Sequence, residues 1–231
     1  MISLFLPIKK NSKRIKSKNF KKIGKYSLGL SEIKIYQLLK VSRILKKKKI
    51  KSEIIISTDS KILKKKFGKI SYIKFFDRPK RLTRDDCLDE LVKEVPKLCS
   101  YKYILWTHVT SPLFSSNEYL KFLKRFLSQK KFKSAFSASL ISSFFMNSNN
   151  KWVSHNIKKK KWPRTQDLKK FYLVNNAAFI NSKKNYKNFS DRLDKKPLPI
   201  ITHKYLDLDI DDEDDLIYLK NYLKKEKKII I

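Results

Sequence analysis

Two clusters of charged residues carry the chemistry this sequence can do. The first is acidic: Asp207, Asp209, Asp211, Asp212, Glu213, Asp214 and Asp215, in a chain of formal net charge +35. Leu206 to Asp211 alternates apolar and acidic residues at the two-residue period of a β-strand, which puts Asp207, Asp209 and Asp211 on one face. Asp212 to Asp215 then fall in the first turn of a helix marked by Leu216, Leu219 and Leu223, where carboxylates suit the positive end of the helix dipole. Asp209 and Asp211 have no such explanation. Two carboxylates side by side repel unless a cation lies between them, and hard oxygen ligands suit Mg²⁺ with a bound phosphate; a solvated acidic edge is the alternative. The second cluster is basic: Lys9, Lys10, Asn11, Ser12, Lys13, Arg14, Ile15, Lys16, Ser17, Lys18 and Asn19, directly after an apolar run. Lysines and backbone N–H groups in such a loop can cradle a triphosphate.

The elements that position these clusters alternate. Ile2 to Ile8 reads as a buried strand, Ser31 to Leu45 has helical spacing, and Ile54 to Ile56 is a second strand ending at Ser57, Thr58 and Asp59. Ile70 to Phe75 reads as a third strand, and Leu88, Leu91, Val92, Val95 and Leu98 mark a helix face. Tyr103 to Trp106 is a further strand, and Ser115 with Glu118 forms a capping box for a helix bearing Leu120, Leu123 and Leu127. Alternation of this kind predicts an α/β fold with three layers and a mainly parallel mixed sheet. Such sheets take ligands beyond the carboxyl ends of their strands, so the loops at 9–19, 57–60 and 107–112 should converge on one edge. The stretch from Ile141 to Lys161 breaks the pattern, as a dimer-forming excursion or a long surface loop.

Composition limits the remaining possibilities. With 231 residues, 41% hydrophobic and 13% aromatic, the chain can build the core of one domain spanning 1–231. No apolar run approaches the roughly 20 residues that cross a bilayer, and Met1 to Ile8 is too short for a signal peptide, so a cytoplasmic location is expected. Cys87 and Cys99 with His108, His155 and His203 form no spacing suited to zinc or a disulfide framework. The excess of 56 Lys plus Arg over 21 Asp plus Glu suits a nucleic-acid partner. The lysines are nevertheless spread along the whole chain with abundant Ile, Asn, Phe and Tyr, all read from A/T-rich codons, so base composition accounts for the charge without a polyanion. A basic RNA-associated binder without catalysis stays open as a second class, although Phe122 and Phe126 sit at apolar periodic positions and not in a stacking motif.

Motif order adds a resemblance that covers nearly the whole chain. The loop 9–19, Ser57-Thr58-Asp59-Ser60, Arg78-Pro79, Thr110-Ser111-Pro112-Leu113, Arg164-Thr165-Gln166-Asp167-Leu168, Asn175-Asn176-Ala177 and Asp209-Ile210-Asp211 occur in the order of the acylneuraminate cytidylyltransferases (CMP-sialic acid synthetases), with the CMP-Kdo synthetases as cousins. In that family the first loop commonly reads Arg-Gly-Gly-Ser-Lys-Arg-Ile-Pro-Gly-Lys-Asn and holds CTP. Here Lys9 stands at the arginine, and Ser12, Lys13, Arg14, Lys18 and Asn19 are kept. The resemblance implies a homodimer that transfers CMP from CTP to a 2-keto sugar acid with Mg²⁺. It implies Lys9, Lys18 and Asp211 in catalysis and Asp209 with Asp211 on the metal. Lys9, Asn11, Ser12, Lys13, Lys18, Asn19, Arg78 and Asp85 would lie at the nucleotide, and His108, Thr110, Ser111, Arg164, Gln166 and Asn175 towards the sugar acid. Three bland roles stand beside these: Arg78 pairing with Asp77 or Asp85, Thr110 and Ser111 ending a strand, and His108 as an ordinary buried, hydrogen-bonded histidine. The chain departs from the pattern at several positions. Lys10 and Asn11 replace both early glycines, Lys16 and Ser17 replace Pro-Gly, and His108 and Phe114 stand where Gln and Arg are usual. Asn176 replaces the glycine of Asn-Gly-Ala. A degenerate member that binds nucleotide without turnover is a third reading.

Overall fold

Every residue from Ile2 to Ile8 except Pro7 is buried, and this strand, β1, has a neighbour on each side: β2 (Ser52–Thr58) and β4 (Tyr103–Thr107), both parallel to it. The computed structural model describes residues 1–84, 86–203 and 206–226. The remaining strands are β3 (Ile73–Asp77), β5 (Ser134–Ile141), β6 (Phe171–Ser182) and β7 (Leu198–Ile201). The sheet order is β3-β2-β1-β4-β6-β5-β7. Only β6 runs against the others, pairing antiparallel with both β4 and β5. The expected mainly parallel mixed sheet is therefore the observed one.

Alternate side chains of β1 part to the two faces. Leu4, Leu6 and Ile8 join a core beneath α1 (Gly29–Lys47), α2 (Lys61–Phe67), α4 (Ser116–Leu127) and α6 (Glu213–Glu226). Phe5 joins a second core under α3 (Leu88–Leu98) and α5 (Lys183–Phe189). This is the three-layer arrangement, and it buries Phe122 and Phe126, consistent with their apolar spacing. Strand order reverses at β1, because the chain winds outward to β3 and returns to pair β4 on the other side. Loops leaving β1 and β4 therefore part in opposite directions and leave a crevice between them.

Several local expectations shift. The third strand starts at Ile73 and not Ile70, because Ile70 belongs to the turn that ends α2: its N–H bonds Phe67 O and its carbonyl accepts from Ile73 N. The capping box does not form, since Ser115 makes no side-chain cap bond and Glu118 pairs with Lys121 at 2.7 Å. Leu206 ends a turn, its N–H bonding His203 O, and residues 207–211 join no strand. Their backbone is tied beside the sheet end by Ile210 N to Thr110 O, 2.7 Å. The capping box appears instead at α6, where Asp215 accepts from Asp211 N and Asp212 N while Asp212 accepts from Asp215 N.

At the opposite, amino-terminal edge of the sheet, Glu53 ties three elements together. Its carboxylate accepts from Ser3 Oγ at 2.6 Å, Ser100 N at 2.6 Å and Lys74 Nζ at 2.7 Å. Burial alone would raise this carboxyl, but the bonds from Lys74, Ser3 and Ser100 outweigh it and hold it below the usual carboxylate range. A carboxyl lowered by folding adds stability above its unfolded pKa and loses it as pH falls through the folded value. Glu53→Ala is expected to cost about 2–3 kcal/mol at pH 7, and urea melts of the variant should lose less stability than wild type between pH 6 and pH 3.

Candidate active site

The loop after β1 is shaped by its own residues. Ile15 is buried and anchors its middle; Asn19 Nδ2 donates back to Lys9 O at 2.8 Å and closes its ends; Lys10 N donates to Asp59 Oδ1 at 2.7 Å and ties it to the end of β2. Ser31 Oγ of α1 holds Asn19 O at 2.8 Å. The turn between Ile15 and Phe20 is made by Lys18 N to Ile15 O and Phe20 N to Ser17 O, and it requires a left-handed Ser17, φ 54° and ψ 32°. Asn176, inside β6 where its pairing with β5 shifts register, has φ 56°. Asn11 is not left-handed, so the replaced early glycines impose no such demand here, whereas Ser17 and Asn176 keep a backbone conformation that glycine adopts without cost.

The acidic segment 206–211 runs past the sheet, and each aspartate meets a different partner: β5 and β6 for Asp207, β6 for Asp209, and the loop after β1 for Asp211. Asp207 accepts from Ser139 Oγ and, at 2.9 Å, from Asn175 Nδ2. Asp209 accepts from Asn176 Nδ2 at 3.5 Å. Asp211 accepts from Arg14 Nη2 at 2.6 Å and lies 3.3 Å from Lys18 Nζ, whose ammonium also donates to Ile210 O. The alternating pattern thus does set out the three carboxylates at successive positions, although without strand pairing.

Asp209 and Asp211 differ in surroundings. Burial raises the Asp209 carboxyl; the Thr110 hydroxyl and Asn176 pull it down, and Asp211 pushes it up. Its Oδ1 is buried with no hydrogen-bond partner, a position that favours a cation beside it. Asp211 is 42% exposed and already faces two cationic side chains. Among the described residues, no group of three or more His, Cys, Asp or Glu side chains converges on a metal position. A divalent ion between Asp209 and Asp211 would take two protein carboxylates and fill its remaining positions with phosphate or water oxygens, as Mg²⁺ commonly does.

Next to these groups lies a cavity of about 430 Å³ lined by Lys9, Ser12, Lys13, Arg14, Lys18, Asn19 and Thr110. A second of about 240 Å³, lined by Lys9, Asn11, Ser12, Lys13, Asp59 and Thr83, adjoins it. The predicted phosphate loop and the predicted acid pair therefore do face one another. Arg78 is buried and donates to Ser57 through Nε at 3.2 Å and Nη2 at 3.1 Å. Asp77 pairs with Lys64 instead. Asp85 lies outside the described residues.

The residues expected at the sugar end separate. Thr110 lines the cavity, whereas Ser111 is buried and its carbonyl accepts from Lys34 Nζ at 2.8 Å. Asn175 is a buried hub, bonding Ser137, Thr202 and Asp207. Arg164 turns to Asp167 on an exposed turn at 2.9 Å, with exposed Gln166 beside it, so this segment is not brought to the acid pair. His108 packs against Arg192 with Nε2 3.3 Å from Nη1.

Lys34 is a residue the sequence reading passed over. It is fully buried on α1 and donates to Ser111 O, Phe114 O at 3.3 Å and Tyr119 Oη at 3.1 Å, pinning the loop after β4. Gln37 Nε2 adds a bond to Pro112 O at 2.7 Å. Burial pushes the Lys34 ammonium well below its usual range and Asp209 opposes this. Its signal was present: Lys34 falls at the helical i+4 position between Leu30 and Leu38, on the apolar face.

No family model matches this sequence, and no curated protein is similar to it in sequence. Solved structures do match. One is 4-diphosphocytidyl-2C-methyl-D-erythritol synthase from Anaerococcus prevotii, 17% identical, TM-score 0.64, covering 96% of this chain and 98% of that one. Another is CMP:2-keto-3-deoxy-manno-octonic acid synthetase in complex with CTP, 12% identical, TM-score 0.64, covering 97% and 99%. A third is HddC from Yersinia pseudotuberculosis, 13% identical, TM-score 0.58, covering 96% and 100%. At these identities the likeness is one of fold.

Proposed function

We propose that this chain is a CTP-dependent cytidylyltransferase whose acceptor is a 2-keto sugar acid of the nonulosonic or Kdo type. One observation carries the reading: Asp209 and Asp211 stand at the crevice of the sheet against Arg14 and Lys18, beside a lysine-lined cavity of about 430 Å³. Two structures of the same fold carry names that involve a cytidylyl group, and one of them holds CTP.

In the proposed reaction the acceptor hydroxyl oxygen attacks the α-phosphorus of CTP. A new P–O bond forms, the bond to the β-phosphate bridging oxygen breaks, pyrophosphate leaves and the hydroxyl proton is lost to solvent or a nearby base. The protein's task is positioning and charge neutralisation. Lys9, Lys13 and Lys18, with loop N–H groups, would face the triphosphate and the departing pyrophosphate. Asp209 and Asp211 would hold Mg²⁺, which when bound supplies positive charge at the phosphate oxygens. Lys34 and Gln37 keep the loop after β4 at a fixed height over the crevice, so Thr110 stays at the cavity wall.

A homodimer through an excursion around 141–175 belongs to the same reading. Phe144, Trp152, His155 and Trp162 pack their rings together there, yet Trp162 remains 68% exposed, and neighbouring Tyr172 and Leu173 are also exposed. Among the described residues no helix is long and apolar enough to cross a membrane.

The test is pyrophosphate release with each of CTP, ATP, GTP and UTP, Mg²⁺ and a panel of 2-keto sugar acids. Turnover is expected with CTP alone and should stop when EDTA is added. Equal thermal stabilisation by all four nucleotides, without turnover, would overturn the reading.

A further inference from the structure

On the face of the sheet covered by α3 and α5, one arginine sits without an acid. Arg192, in the loop between α5 and β7, places its guanidinium carbon 4.1 Å from the centre of the Phe179 ring and 5.4 Å from that of Trp106. It forms no ion pair among the described residues. Asp191 and Asp89 act on it only at a distance, and Asp191 accepts from Leu193 N instead. Its one polar side-chain contact is His108 Nε2, 3.3 Å away.

Counting donors and acceptors around it gives a one-sided result. Burial, then the charges of Arg192 and Lys34, push the His108 pKa down to about 3, so the ring is neutral. Because Arg192 has only protons to offer, Nε2 is the acceptor and the ring proton lies on Nδ1. Behind the pair, the Trp106 indole Nε1–H and the Tyr186 hydroxyl are both fully buried and both lack a hydrogen-bond partner. Tyr186 is near enough to feel the charge of Arg192. Guanidinium N–H groups, an imidazole N–H, an indole N–H and a phenol hydroxyl belong to this cluster, where the His108 ring acceptor is already taken and Tyr186 Oη is the other side-chain acceptor. Buried donors without acceptors are costly, and a fixed group of them beside an unpaired cation suits an oxyanion.

Its position ties it to the crevice. His108 directly follows β4, Phe179 opposes Trp106 in β6, and Thr110 and Asn176, which border the acid pair, follow or precede these by two or three residues. His108 and Arg192 are each partly exposed, so the pair can be reached from solvent.

We infer that Arg192 and His108, backed by Trp106 and Tyr186, bind the anionic group of the acceptor on the sheet face opposite α1. For the carboxylate, this inference rests on the function proposed above; a phosphate-bearing acceptor presents the same oxyanion chemistry.

Two measurements separate this from the function itself. In the first, Trp fluorescence is followed at constant ionic strength during titration with pyruvate or with inorganic phosphate. Wild type should respond saturably to at least one, which identifies carboxylate or phosphate as the group taken. Arg192→Met should weaken that binding by about 30-fold, with Arg192→Lys between the two because it keeps charge and loses the planar fork. Exposed Arg125→Met on α4 should leave it unchanged, which controls for the general attraction of anions to a +35 protein. No saturable response in wild type, or the same response in a folded Arg192→Met or Arg192→Lys protein, overturns the pocket. In the second, the KM for acceptor in pyrophosphate release should rise about 30-fold in Arg192→Met, with the KM for CTP within about twofold. An unchanged acceptor KM refutes the pocket and leaves the cytidylyltransferase reading intact. An Arg192-dependent fluorescence response without turnover on any acceptor does the reverse.

Discussion

Asp211→Ala abolishes CTP-dependent pyrophosphate release and leaves the protein folded. The carboxylate is 42% exposed and pairs with an Arg14 side chain that is 64% exposed, and pairs so solvated contribute about 0–1 kcal/mol to stability. A melting temperature within a few degrees of wild type is therefore expected. Activity should fall on the order of 1,000-fold, about 4 kcal/mol of transition-state stabilisation, because among the described residues Asp211 pairs with both Arg14 and Lys18 and, with Asp209, would present a cation to phosphate. Asp209→Ala should have a similar kinetic effect, and Mg²⁺ titration of either variant should show a weakened requirement. Full activity in Asp211→Ala would remove both the metal assignment and the role of this aspartate.

Lys18→Met should lower kcat by about 100- to 1,000-fold, the usual range when one preorganised donor to a developing charge is lost. Lys18 differs from the other loop lysines in being buried, with its ammonium held between Ile210 O and Asp211. Its side chain is therefore already desolvated and aimed, with little side-chain entropy left to lose on binding phosphate. Methionine keeps the stem and removes the charge; the stability cost is that of one unsatisfied carbonyl, about 1–2 kcal/mol. Single-turnover measurement at saturating CTP separates the chemical step from binding. A rate within threefold of wild type would place Lys18 outside the machinery and make it a strut under the acidic segment.

The sheet and its ligand edge were legible because the first half of the chain obeys simple periodicities. Ile2–Ile8 is apolar throughout, and a strand at the centre of a covered parallel sheet has no solvent face to mark with polar residues. The later strands were harder to see: β5 is built from Ser134, Ala135, Ser137, Ala138 and Ser139, small residues with weak strand preference, and β6 carries Asn175 and Asn176 at its functional end. Their place is decided by partners distant in sequence. The site divides in the same way. Lys18, Asp209 and Asp211 stand out by type and spacing and Thr110 by motif order; in the structure Lys18 and Thr110 line one cavity, and the two aspartates contact its wall residues. Arg164 and Gln166 came from motif order alone, and in the fold they occupy an exposed turn. Arg192 had no sequence signal, since nothing local distinguishes an arginine over two aromatic rings from one in water. Asp207 was placed correctly beside the other two acids, but what it touches, Ser139 and Asn175, depended on strands the sequence had not revealed.

Ser17 and Asn176 hold left-handed backbone where the resembled pattern has glycine. For a residue with a side chain that torsion costs about 1 kcal/mol, and the cost falls on the folded protein whether or not nucleotide is present, so it weighs on melting and not on affinity. Sequences read from A/T-rich codons can thus do without GGN triplets at such turns, with serine and asparagine carrying the torsion at a cost in stability.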